Sequence, residues 1–374
     1  MSEKILIAYN VPKREQRGRD IDFLSEAGVM DEVNAVREAL LECGYAVGIA
    51  GVQRSAPMFL DRVMRFRPKA IFNLVEGWQG DNQYEMHFAC TYELLGVPYT
   101  GAPPLALATA VNKWHTKTLL KQAKLPTPNG MICSEVPGRC SLRYPVIVKP
   151  VHEDASLGVD FDAVVSNLAE LRRRVAWVVQ TYHQPAIVEE YIEGRELNVA
   201  VVGDEIPLAL PISEITFDIP AHLPKICTYN AKWLAGSEDY QWTAGAQCPA
   251  RLDEALTRQI QSLAVSAFHV MGCRDYGRVD FRLSPDNQPY ILEVNPNPDI
   301  SPDAGLARSA RASGRTYTQL IGEVIHFALQ RGTHDSYGHS HPAFAPRRPT
   351  EHRTHFAADA SLSRNGSAVR VGAD

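Results

Sequence analysis

The chain has 374 residues, 45% of them hydrophobic and 22% charged, the balance of a globular soluble protein with two or three packed domains. A formal net charge of -5 argues against a nucleic-acid binder, which usually carries a basic excess. There is no run of about 18 apolar residues, so no membrane span is expected.

The start, Met1-Ser2-Glu3-Lys4 followed by the strand-like Ile5-Leu6-Ile7-Ala8, is not a secretory signal. Seven scattered cysteines, an odd number with no Cys-x-x-Cys, do not suggest a disulfide framework or a zinc site, and a reducing cytoplasm is the natural setting. The first hundred residues alternate. A strand is expected at 4–9. The spacing of Val33, Val36, Ala39, Leu40 and Cys43 predicts a helix over 33–43 that Gly44 ends. Strands at 46–50 and 70–74 and helices at 59–66 and 84–95 complete a βαβαβ pattern, which implies a parallel sheet covered by helices. A second unit begins near Pro103, with helices at 113–123 and 168–178 and strands at 146–148 and 186–190. A third, up to Asn295, reads as rich in short strands, and a last helix spans roughly 317–330. From Gly332 onward, five histidines (His334, His339, His341, His352, His355) and few large apolar residues read as a disordered tail.

Three stretches carry chemistry. Arg278-Val279-Asp280-Phe281-Arg282-Leu283 and Tyr290-Ile291-Leu292-Glu293-Val294-Asn295 alternate like strands, and Ser284-Pro285-Asp286-Asn287-Gln288-Pro289 between them is turn chemistry. A hairpin centred between Asp286 and Asn287 sets Asp280 opposite Glu293 and Arg278 opposite Asn295. All four then share one face, roughly 5 Å apart across the pair. Two carboxylates and an amide suit a hard cation such as magnesium, and a nearby arginine can hold charge that develops in a transition state. A salt-bridged surface hairpin fits the same pattern. The second stretch is a strand ending in Lys149, followed by a loop whose small residues Ala155, Ser156 and Gly158 let backbone N–H groups approach an anion. It lacks the Gly-Lys-Ser/Thr end of a Walker loop. The third, Glu189-Glu190-Tyr191-Ile192-Glu193-Gly194-Arg195-Glu196, is an extended acidic segment. It suits a purine edge and ribose hydroxyls, or a solvated strand edge.

These stretches, in this order, resemble the ATP-grasp superfamily and most closely the D-alanine–D-alanine ligases, over roughly 71–330. Leu95-Gly96-Val97-Pro98-Tyr99-Thr100-Gly101, Asn112-Lys113 followed by Lys117, and Tyr229-Asn230-Ala231-Lys232-Trp233 are similar to further family segments. The resemblance implies an α/β (α+β) ATP-grasp fold: a pre-ATP-grasp parallel-sheet domain (1–102), a central lid subdomain (103–190), a C-terminal catalytic subdomain (191–330) and the tail (331–374). It also implies that Lys113 and Lys149 hold ATP phosphates under a loop containing Ser156 and Gly158. Glu189 would accept from the adenine amino group, the backbone of Glu190 and Ile192 would read the ring edge, and Glu196 would hold the ribose. Lys232 would reach the γ-phosphate. Asp280, Glu293 and Asn295 would bind two magnesium (or manganese) ions, and Arg278 would steady the tetrahedral intermediate.

The expected activity is therefore ATP-dependent joining of a small-molecule carboxylate to an amine through an acyl-phosphate, in the cytoplasm, with no nucleic-acid or membrane partner; a homodimer would follow from the resemblance alone. The substrate side departs from the family. The stretch 10–24 lacks the Gly-Gly and Glu-Arg-Glu-Val-Ser pattern. Ala155 stands for a serine, Trp233 for a tyrosine, Glu76 for a histidine, and Ala304-Gly305 for the serine–leucine that holds the acceptor's carboxylate. Another amino acid, peptide or metabolite is expected as substrate. The alternatives are genuine D-alanyl ligation, another ATP-grasp reaction such as a kinase or carboxylase, and a regulatory protein that kept ATP affinity without chemistry. Glu76, Asp81 and Glu85 suggest either a pocket for a cationic group or an exposed acidic loop.

Overall fold

The computed structural model describes residues 2–11, 28–53, 55–243 and 245–334. Strands β1 (Lys4–Asn10), β2 (Ala46–Val52) and β3 (Ala70–Leu74) form a parallel sheet in the order β2-β1-β3. Parallel neighbours need crossovers, and helices α1 (Val29–Glu42) and α2 (Ala56–Phe66) lie in them. α1 buries Val33, Val36, Ala39 and Leu40, the helical stripe legible in the sequence, although it begins at Val29 rather than at 33.

Beyond α3 (Glu85–Leu94), α4 (Pro104–Ala110) and α5 (Lys113–Gln122), a four-stranded antiparallel sheet has the order β4-β7-β5-β6. Its strands are β4 (Gly130–Cys133), β5 (Val146–Pro150), β6 (Val164–Val165) and β7 (Ala186–Glu190). Helix α6 (Leu168–Tyr182) lays Leu171, Val175 and Val178 on it.

The third sheet is antiparallel, in the order β11-β10-β8-β12-β13, with β9 on β8. β8 (Arg195–Gly203) and β12 (Asp275–Leu283) are its long central pair. They are flanked by β9 (Leu208–Ala209), β10 (Ser213–Thr216), β11 (Gly245–Gln247) and β13 (Pro289–Asn295). Two short helices, α7 (Tyr229–Trp233) and α8 (Glu238–Thr243), precede β11, and the 17-residue α9 (Glu254–Val270) covers one face. Neither α9 nor the nine-residue β8 matches the expectation of short strands in this region. Strand alternation sends Val199, Val201, Val279 and Phe281 toward Ile260, Ala264 and Phe268 of α9. The polar alternates of β8 and β12 are left on the opposite face, and that face carries the site.

One apolar cluster joins the first and third sheets. Ile5, Ile7 and Phe72 meet Ala200, Val202 and Tyr276 around Leu320, Val324 and Ala328 of the last helix. This helix, α11 (Tyr317–His334), follows α10 (Gly305–Ala312) and runs four residues past the expected end at 330. Arg331 explains the extension. Its guanidinium bridges Asp204 at 2.6 Å and the fully buried Asp275 at 2.5 Å, and donates to the Tyr99 carbonyl at 2.9 Å. The expected disordered tail beyond this helix lies outside the described residues.

Candidate active site

The polar face of the third sheet looks across a cleft of about 860 Å³, including its open mouth, toward the end of the second sheet. Facing residues in the β8–β12 register are Glu196 with Arg282 and Asn198 with Asp280. In the β12–β13 hairpin, Arg278 stands opposite Asn295 and Asp280 opposite Glu293, the pairing expected from the alternation. The turn, however, is centred on Asp286. Phe281 pairs with Ile291, so Leu292 is an extra, bulged residue. Asn287 takes a left-handed φ of 60° and closes a three-residue loop, so the centre falls half a residue before the one expected between Asp286 and Asn287. The bulge restores the register just before Glu293.

Asp280 is only 7% exposed and heavily engaged. Arg278 Nε and Nη2 donate to its two oxygens at 2.7 and 2.8 Å, Asn198 Nδ2 donates at 2.7 Å and Asn295 Nδ2 at 3.1 Å. Burial opposes its ionisation, but the adjoining guanidinium outweighs burial and holds the carboxyl below its usual range. Glu293, by contrast, makes no hydrogen bond or ion pair among the described residues. Among those residues, no three His, Cys, Asp or Glu side chains gather into an all-protein metal cage. The donor set present is nonetheless all oxygen: one unengaged carboxylate, one carboxylate balanced by arginine and one amide whose nitrogen points at Asp280. Such a partial shell fits a hard dication that keeps places for phosphate oxygens and water.

Cations line the opposite wall. Lys113 is the first residue of α5. Its cap, Asn112, accepts from the N–H groups of Trp114 and His115 at 3.0 and 3.1 Å, fixing where the helix starts. Lys113 Nζ donates to the Glu153 carbonyl and lies 3.3 Å from Asp154. Lys149, near the end of β5, lies 3.2 Å from Glu189 Oε2. The other Glu189 oxygen takes Lys117 Nζ at 2.6 Å. Burial pushes the Glu189 carboxyl up, yet the two ammonium groups more than reverse this and hold it at about 2.

The loop between the walls is tightly wound, with Ala155 and Ser156 both left-handed, at φ 53° and 62°. Ser156 Oγ donates to the Cys227 carbonyl at 3.0 Å, and Trp233 Nε1 donates to the Ala155 carbonyl at 3.0 Å. The loop is thus fastened to α7, which presents an exposed Lys232 over the cleft. Glu190 lends its N–H to the Asn129 carbonyl, and the Ile192 carbonyl accepts from Arg282.

Of the residues singled out from sequence, Lys113, Lys149, Ser156, Glu189, Glu190, Ile192, Glu196, Lys232, Asp280 and Glu293 line this one cleft. Arg278 and Asn295 lie beside it, against Asp280. Gly158 turns away: at φ 73°, a Cβ there would meet Pro150 at 2.7 Å and Tyr182 at 3.0 Å. Sequence reasoning overlooked Asn198 and Arg282, although the period-2 alternation through Glu196 and Arg278 marks the same face. Arg282 is 3% exposed and holds Glu196 Oε2 at 3.3 Å.

An acidic end adjoins the cleft. Glu32 accepts from the Ile300 N–H at 3.0 Å and Glu85 from Asn297 Nδ2 at 2.8 Å. Burial, reinforced by the nearby Glu76, pushes both carboxyls up to about 8, with Asp299 adding to the effect at Glu32 and Asp154 at Glu85.

Residues 112–326 match the family model described as "D-ala D-ala ligase C-terminus". The chain belongs to the D-alanine–D-alanine ligase family. It is an enzyme, a ligase of the ATP-grasp class. A D-alanine–D-alanine ligase of Alcanivorax borkumensis is 37% identical over 241 residues, covering 64% of this chain and 72% of the relative. An uncharacterised protein of Sinorhizobium fredii, y4sG, is 35% identical over 304 residues, covering 80% of this chain and 87% of that one. The crystal structure of a Bacillus anthracis D-alanine–D-alanine ligase complexed with ATP superposes with a TM-score of 0.67 at 18% identity. It covers 89% of this chain and all of that one, and at this identity the likeness establishes the fold. Among the described residues, no helix is long and apolar enough to cross a membrane. The stretch 12–27, which includes most of the place where the family's glutamate-containing N-terminal pattern would stand, lies outside the described residues.

Proposed function

We propose that this family member activates a carboxylate as its acyl-phosphate with ATP and joins it to an amine, and that its substrates are not two D-alanines. In the reaction, a carboxylate oxygen bonds to the γ-phosphorus as the bond to the β-phosphate oxygen breaks and ADP leaves. The amine nitrogen then attacks the acyl carbon and loses a proton, and phosphate departs. Asp280, Glu293 and Asn295 would hold magnesium, which when bound draws charge from the transferring phosphoryl group. Lys113 and Lys149 would bind phosphates, with Ser156 and Gly158 shaping the cover. Lys232 would come down on the γ-phosphate. Arg278, braced by Asp280, would steady the oxyanion of the tetrahedral intermediate. Glu196, held by Arg282, would take the ribose. Glu189 would accept from the adenine amino group. Because the Glu190 N–H and Ile192 carbonyl are already engaged, the ring edge would be read by the Glu190 carbonyl and the Ile192 N–H.

The observation that carries the substrate reading is the Trp233–Ala155 contact. Where the family places a tyrosine and a serine side chain, an indole N–H bonds a backbone carbonyl instead. The indole can only donate, so neither residue offers a substrate an acceptor side chain there. Glu76 in place of histidine and Ala304-Gly305 in place of the acceptor-carboxylate clamp support the same reading. A second reading, D-alanyl ligation itself, is favoured by the names of the similar ligases. A screen of acids and amines with ATP and magnesium, read by ADP release and product mass, tests the proposal. With the best pair, ¹⁸O in the acid's carboxylate should appear in the released phosphate. ADP formation that needs no amine, or phosphate without label, would contradict the acyl-phosphate route.

A further inference from the structure

Lys117 follows Lys113 by one turn of α5, yet it is only 2% exposed. Its ammonium has three N–H bonds and all three are used: Thr127 Oγ1 at 2.8 Å, the Pro128 carbonyl at 2.8 Å and Glu189 Oε1 at 2.6 Å. No donor is left for a phosphate. We propose that Lys117 is a positioning residue, fixing Glu189 as the carboxylate that reads the purine and so giving the cleft its preference for a 6-amino over a 6-oxo nucleotide. The inference rests on the assignment of Glu189 to the adenine amino group made above.

A carboxylate offers about four lone-pair sites, and Lys117 and Lys149 take one on each oxygen. Two remain for an incoming amino group. Kept ionised, Glu189 can only accept. It attracts the exocyclic N–H of adenine and repels the lone pairs of a 6-oxo group. The backbone leaves room for this arrangement at Gly130, which pairs with Glu189 across β4 and β7. A Cβ at Gly130 would come within 3.4 Å of both Lys117 Cδ and Glu189 Cγ, and 2.9 Å from the Val188 carbonyl. Stability alone is a poor reason for such a site, since buried ion pairs are often no better than apolar side chains of the same volume. Orientation is the better one: without Lys117, Glu189 leans on Lys149 alone and draws that ammonium away from the phosphates.

The test is calorimetric binding of ADP and of IDP, its 6-oxo counterpart, to the full chain, with melting temperature measured in parallel. The wild-type protein is expected to favour ADP. In Lys117→Met, ADP affinity should fall at least tenfold and the ADP-to-IDP ratio should collapse toward one. A merely structural role would lower the melting temperature and weaken both nucleotides equally. If Lys117→Met does not fold, Thr127→Val removes one acceptor of the ammonium without touching the nucleotide and should reduce the ratio several-fold. A wild-type ratio in the folded variant, or a wild-type protein indifferent to the 6-position, would overturn the proposal. Neither measurement requires the acid or the amine, so the result is independent of which bond the enzyme forms.

Discussion

Asp280 and Glu293 face each other across the hairpin, but Asp280 is held by hydrogen bonds from Arg278, Asn198 and Asn295 and Glu293 by none among the described residues, so their substitutions should separate. Glu293→Ala removes a carboxylate with no described partner, so folding should be nearly unaffected while ADP formation with the best substrate pair is abolished. Near-normal turnover in that variant would remove Glu293 from the proposed metal site. Asp280→Ala should lose turnover and also stability, because it strands the part-buried Arg278 guanidinium; breaking a fully buried pair costs about 3–5 kcal/mol, and this pair, with Arg278 20% exposed, should cost less. Denaturant titration of the two variants measures the difference. Glu32 makes a pH prediction. Its folded pKa of about 8 lies above the ordinary carboxylate value, so the folded state binds the extra proton between these limits. Any stability tied to Glu32 is complete below about pH 4.5 and is lost as pH rises toward 8. Glu32→Gln should therefore melt with the wild-type protein at pH 5 and several degrees above it at pH 8.5. Equal melting at both pH values would show that the carboxyl is not held protonated.

Among the elements, the hairpin shows how much was legible and why the rest was not. Alternation in Arg278-Val279-Asp280 and Glu293-Val294-Asn295 was enough to put four polar side chains on one face. The left-handed Asn287 and the bulged Leu292 were not legible, and their offsets cancel at the site. Helix α9 escaped notice although Asp253 caps it, its side chain accepting from the Leu256 N–H at 2.8 Å. Two of its buried positions, Ala264 and Ala267, are too small to announce an apolar stripe. The end of α11 was set too early because Arg331 reads as a surface residue in a polar stretch, whereas its partners Asp204 and Asp275 lie far off in sequence. Arg331→Ala should leave Asp275 buried without its main counter-charge and lower the melting temperature by roughly 4–6 °C. An unchanged melting curve would mean that the last turn of α11 does not fasten the first and third sheets.

Across the whole molecule, the cleft-lining residues proposed for the nucleotide were readable because they sit on strands and helix starts, where periodicity fixes direction. The proposed substrate side was readable only as a set of departures, since the contacts there come from loops and from the packing of distant segments: Glu32 on α1 against Ile300, Glu85 against Asn297, Trp233 against Ala155. No local pattern announces those meetings. They set Glu32 and Glu85 at an acidic end beside the cleft and the Trp233 indole against the Ala155 carbonyl. A buried polar group of a substrate left without its partner costs on the order of 1–3 kcal/mol, so several lost partners reduce a specificity constant by powers of ten. The most direct measurement is therefore the simplest one: D-alanine, ATP and magnesium with the full chain, product read by mass spectrometry, beside the best pair found in the substrate screen. Little or no D-alanyl-D-alanine is expected while the other pair turns over. D-alanyl-D-alanine formed at a rate comparable with that pair would contradict the account.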